Sequence, residues 1–154
     1  MIEEPEAAAK DEPYAVPLDF PVAWDVGAPL PVVFATDSLV FLTFLTADEK
    51  HALVEFHSPE SLRFGSPNED VHVGHYLSGR GQEAYTAQIV ENSPWLREVE
   101  AMNKTHPQYD AERWRRVKHY VFWFHDSTFE CLARGYKVEI LDESMVEKIL
   151  KRLL

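Results

Sequence analysis

Residues 117–141 (VKHYVFWFHDSTFECLARGYKVEIL) place His119, His125, Asp126, Glu130 and Arg134 in one short aromatic stretch. A histidine within reach of a carboxylate can share acid and base roles near neutral pH. An arginine beside them could grip an anionic group with two parallel hydrogen bonds. His119, His125, Glu130 and Arg134, arranged around Trp123, are therefore the candidate catalytic face, with Trp123, Asp126 and Arg80 as candidate binding residues. The plainer use of the same residues is a polar sheet face whose ions satisfy one another.

Other groupings are weaker. His125, Asp126 and Ser127 are the three residue types of a hydrolytic triad, but triad members converge from separated positions and turn neighbours point apart. Asp126 suits a turn cap instead. His72 and His75, with His57 and Asp70 nearby, would face opposite ways on a strand, and no second ligand pair has zinc-like spacing, so no metal is expected. The glycine-rich GHYLSGRG of residues 74–81 lacks the lysine and hydroxyl of a phosphate loop and the dinucleotide fingerprint, so no cofactor is expected. It reads as a mobile loop that could bring Arg80 to a site. Cys131, the one cysteine, excludes an internal disulfide and falls on the apolar face of its strand, where a thiol acts as a small hydrophobe.

The elements that must position these groups begin with a hairpin. Residues 120–124 (YVFWF) are an unbroken run of strand formers, and Asp126 and Ser127 are turn formers. A two-residue loop at 126–127 and a four-residue loop at 125–128 both set Phe124 opposite Phe129. Alternation then gives Tyr120, Phe122, Phe124, Phe129, Cys131 and Ala133 to the core face. The other face takes His119, Val121, Trp123, His125, Thr128, Glu130, Leu132 and Arg134, with Trp123 opposite Glu130 and His119 opposite Arg134. A bulge at Gly135 would return Tyr136, Val138 and Ile140 to the core.

Upstream, residues 1–13 read as a mobile acidic tail and residues 13–30 as proline-interrupted extended chain pinned by Phe20 and Trp24. Strands are expected at residues 32–35, 39–45, 52–56, 62–64 and 85–90, with 39–45 apolar on both faces and so central. Residues 66–82 form a long polar loop. Ser93-Pro94 starts a helix striped by Trp95, Val99 and Met102, which stops before His106-Pro107; Asp110 caps a short second one. Asp142 opens a C-terminal helix with Met145, Val146, Ile149, Leu150 and Leu153 on its apolar face. Strands in succession with late helices predict an α+β fold: a single domain, residues 14–154, with a mainly antiparallel curved sheet of about six strands, two short helices before the last hairpin, and a C-terminal helix.

At 154 residues the chain is long enough for one well-buried core. Its net charge of −11 is uneven: residues 1–93 hold 4 Lys/Arg and 16 Asp/Glu, the remainder 11 and 10. Such a surface repels phosphate, which argues against nucleic acid and anionic membranes. No basic segment followed by an apolar run opens the chain and no run is long enough to span a bilayer, so a cytoplasmic location is the expectation.

The segments GHYLSGRG, VENSPWLREVEAMNKTHPQYD and FHDSTFECLA, within residues 74–133, resemble those of an uncharacterised family of small bacterial proteins. The resemblance implies no activity. Two functional classes follow from the residues themselves. One is a small acidic interaction protein that binds a basic protein partner, in the manner of immunity proteins and antitoxins. The other is a small enzyme or ligand-binding protein that uses the hairpin's polar face. Composition does not set the oligomeric state. A pocket at that face favours the second class; a covering helix favours the first.

Overall fold

The computed structural model describes residues 11–142 and Lys151. Among these residues, nine strands form two antiparallel sheets rather than the single curved sheet of about six strands expected. One sheet has the order β1 (Tyr14–Pro17), β6 (Ala87–Glu91), β7 (Lys118–Trp123), β8 (Thr128–Ala133), β5 (Ser61–Gly65). The other has the order β2 (Val32–Ala35), β3 (Val40–Leu45), β4 (His51–His57), β9 (Gly135–Leu141). Helices α1 (Pro94–Asn103) and α2 (Ala111–Trp114) lie between β6 and β7 in the chain. The expected C-terminal helix, with Met145, Val146, Ile149, Leu150 and Leu153, falls mostly outside the described residues.

The two sheets bury one core between them. Val40, Leu42 and Phe44 of β3 and Ala52, Val54 and Phe56 of β4 meet Tyr120, Phe122, Phe129, Cys131 and Ala133 of β7 and β8. Alternation along each strand sends these residues inward, and aromatic rings fill the space: Phe56 to Phe129 at 5.4 Å, Trp24 to Phe124 at 5.0 Å. As the VFLTFL run predicts, β3 is interior, with β2 and β4 on either side. Phe20 and Trp24 of the proline-interrupted segment pack into this core.

The hairpin keeps its predicted faces but not its register. Phe122, not Phe124, is opposite Phe129; Trp123 is opposite Thr128, and His119 opposite Leu132. Residues 124–127 make the turn, closed by Phe124 N–H donating to Ser127 O at 3.0 Å. A shift of two residues preserves parity, so every inward residue stays inward. Gly135 is not a bulge. The chain leaves one sheet at Ala133 and enters the other at Gly135, with Arg134 alone between them. Tyr136 and Val138 pack on the core, whereas Ile140 is 42% exposed.

The outer face of the five-stranded sheet is covered. Trp95, Val99, Trp114 and Val117 close over Leu132, and Leu77, from the loop after β5, is seated with Val121, Trp123, Val90 and Ala15. Ser93 caps α1 as its sequence predicts, accepting the Leu96 N–H, and Asp110 caps α2 through the Glu112 N–H. Met102, expected on the buried stripe, is exposed. Gly81 sits at φ +92°, where a β-carbon would stand 2.1 Å from Ala15 O, so only glycine lets the loop approach β1.

Candidate functional site

The hairpin's polar face divides into a sealed part and an open part. In the sealed part, His119 is fully buried. Its Nε2 lies 2.8 Å from Glu130 Oε1 and its Nδ1 2.7 Å from Ser93 Oγ. Because Ser93 Oγ accepts the Leu96 N–H, its own proton is free for Nδ1, leaving Nε2–H to donate to Glu130. The shifted register puts His119 diagonal to Glu130 rather than opposite Arg134, within reach of a long side chain. Trp95 stands edge-on to the imidazole at 5.1 Å, and the Arg63 guanidinium lies 4.1 Å over the Trp95 ring. A serine, histidine and glutamate in one chain suggest a nucleophile, but Ser93 is buried at a helix cap and no substrate can reach it. What this array does is tie the start of α1 to the sheet.

Three other predicted site residues are also structural. Trp123 is fully buried, and its Nε1–H donates to Gln88 Oε1 at 2.8 Å; Gln88 Nε2 in turn donates to Gly81 O. Arg80 clasps the chain before β1, through Nε to Pro13 O at 2.6 Å and an ion pair with Glu12 at 2.6 Å. Residues 11–13, at the end of the expected tail, thus carry contacts, as do Asp11 O with Arg97 and Glu12 O with Asn92. Arg134 stands at the crossing between sheets, where its N–H donates to His57 O, away from His119.

The open part gathers around His125. Glu69, from the 3-10 turn Glu69–Gly74, places Oε2 3.0 Å from His125 Nδ1, and the Tyr85 hydroxyl lies 3.2 Å from the same nitrogen while donating to Glu69. A main-chain bond from Glu69 N–H to His125 O fixes the loop to the hairpin turn. Tyr85, expected within a strand, instead precedes β6 at φ +63°, a strained position for a non-glycine residue. Its hydrogen bond to Glu69 pushes the Tyr85 hydroxyl up to about 12, and the same bond, aided by His125, holds the Glu69 carboxyl below its usual value. His125 Nε2 faces outward, with the exposed Asp126 carboxylate 3.8 Å away. A carboxylate on one imidazole nitrogen and an open second nitrogen can orient a general base.

His72 and His75 both turn edge-on to Trp123, at 5.1 and 5.0 Å, because they lie on a 3-10 turn and its exit rather than on a strand. Burial lowers both pKa values. Among the described residues no group of three or more His, Cys, Asp or Glu side chains converges on a metal position. Cys131 is buried, and burial pushes its thiol up to about 12, which keeps it protonated.

Two clefts flank residues 21–23. One, of about 280 Å³, is lined by Leu18, Phe20, Trp24, Glu83, Tyr85 and Thr86 among others. The other, of about 440 Å³, is lined by Thr46, Ala47, Asp48, Lys50 and Ile140. Both share Pro21, Val22 and Ala23. Trp24 is 4% exposed and its Nε1–H has no hydrogen-bond partner.

Sequence reading missed Ser93, Glu69, Tyr85 and Trp24 as participants. Only Ser93 carried a local signal, as a cap; Glu69 lies 56 residues from His125 and meets it through tertiary folding alone. Among the described residues no helix is long and apolar enough to cross a membrane. Comparison of the chain with protein-family models, with curated proteins and with solved structures finds no match.

Proposed function

We propose that this chain is a small acidic interaction protein that engages a basic protein partner. The observation that carries this reading is the burial of the His119–Glu130 face under α1, which removes the best candidate for a catalytic surface. The charge division supports it. Asp19, Asp37, Asp48, Glu49, Asp70 and Glu83 are exposed in the first half, while the exposed cations Arg97, Lys104, Arg113, Arg115, Arg116 and Lys118 gather on and just after α1 and α2 and at the start of β7. A surface so divided orients an approaching basic protein before contact. Raising salt from about 50 to about 500 mM shortens the Debye length from roughly 14 to roughly 4 Å. The association rate with the partner isolated from the source cell is expected to fall about 10-fold or more over that range. A rate that stays flat, or a partner that is itself acidic, defeats the reading.

The Glu69–His125 pair favours a second reading, a ligand-binding or acid–base site at the hairpin turn. Hydrolysis of p-nitrophenyl acetate then exceeds that of His125→Ala and Glu69→Gln variants. Equal rates in all three proteins dismiss it.

A further inference from the structure

We infer that the basic partner is held as an extended segment lying across residues 21–23, with one side chain in each of the two flanking clefts. This inference rests on the interaction reading above and names its seat. Three observations converge there. The first is shape: the two clefts share Pro21, Val22 and Ala23, so they adjoin along that segment as one trough. A small molecule would fill one cleft, whereas an extended chain offers side chains to both.

The second observation is charge. Glu83 lines one cleft and Asp48 the other. Lys50 is the one cation among the lining residues, and it is drawn toward Asp142 at 3.9 Å. A lysine or arginine is therefore favoured beside Glu83, whereas the second cleft pairs Asp48, which already accepts the Thr46 hydroxyl, with Lys50 and is near neutral. Leu18, Phe20 and Val22 present an apolar floor.

The third observation is the Trp24 indole. It lines the first cleft, is almost wholly buried, and keeps an N–H without a partner. Buried donors are nearly always paired, because an unmade bond costs the full desolvation of the group. A main-chain carbonyl of an extended segment is the acceptor that would satisfy it. The atom is closed to solvent, so the carbonyl reaches it when the neighbouring segment, irregular backbone over residues 18–23, gives way.

The test uses the full chain, isotope-labelled, and a capped peptide of alternating lysine and leucine at low salt. The peptide is expected to shift amide resonances of residues 18–24, 46–50 and 83–87, and to move the Trp24 indole N–H downfield as its hydrogen bond forms. Ala23→Arg, at an exposed position lining both clefts, should abolish these shifts while leaving the remaining spectrum in place. Glu83→Lys should weaken binding about 10-fold, and Asp37→Lys, at an exposed turn outside the trough, should leave the Trp24 shift intact. Shifts spread over other acidic surface with Trp24 unmoved overturn the trough but leave an acid-steered partner standing. No binding at all also overturns the trough, and the salt dependence of the association rate then decides the broader reading.

Discussion

Replacing His119 with alanine is expected to cost about 3–5 kcal/mol of folding stability, because it strands a buried carboxylate. Glu130 is 8% exposed and His119 its hydrogen-bond partner at 2.8 Å, while Ser93 loses the acceptor for its hydroxyl. A domain of this size has only about 5–15 kcal/mol in total, so the variant should unfold at markedly lower urea. Glu130→Gln keeps an oxygen acceptor for the Nε2–H and should lose less. Ser93→Ala removes the cap of α1 as well as the bond to Nδ1, at a cost of about 1–2 kcal/mol. Urea midpoints for the three variants check the order. An unchanged midpoint in His119→Ala would show that water enters and hydrates Glu130, and would end the account of a sealed array.

Phe124→Ala is expected to cost about 3–5 kcal/mol through the cavity it leaves. Phe124 is 1% exposed and its ring packs 5.0 Å from Trp24 and 5.5 Å from Phe44, so it joins residues from three separate segments. Collapse around the gap is limited because the neighbouring rings are themselves held on strands or by the Trp24–Thr46 bridge. Phe124→Leu, which refills much of the volume, should recover part of the loss. Thermal unfolding of both variants distinguishes the outcomes; equal melting temperatures for wild type and Phe124→Ala would refute the packing described.

The faces of the hairpin were legible because strand parity is local. A turn at 124–127, in place of one at 126–127 or 125–128, moved Phe129 from Phe124 to Phe122, yet left each side chain on its own face. The caps of α1 and α2 were legible for the same reason: Ser93 and Asp110 act on amides within three residues. The division into two sheets was not, because alternation says which residues are inside but not which strands are neighbours. β1 was hidden among prolines; as an edge strand it can end in Pro17 without losing a ladder bond the sheet needs. The candidate sites were the least legible. Glu69, Tyr85 and His125 reach one another from the 3-10 turn, the approach to β6 and the hairpin turn, and no spacing in the sequence encodes that meeting.

The crossing at Arg134 has a mechanical consequence. A single residue between β8 and β9 spans at most about 7 Å from neighbour to neighbour, and Arg134 N–H is also fastened to His57 O of β4. That corner of the sandwich is stitched. The layers cannot slide past each other there, so any slow parting must resemble a book opening from its unbound edge. β8 and β9 both run from or to the far edge at Thr128 and Leu141, where Trp24, bridged to Thr46 and packed on Phe124, closes the gap. The spine lies at Arg134 and the clasp at Trp24, and beside the clasp lie the two clefts that share residues 21–23.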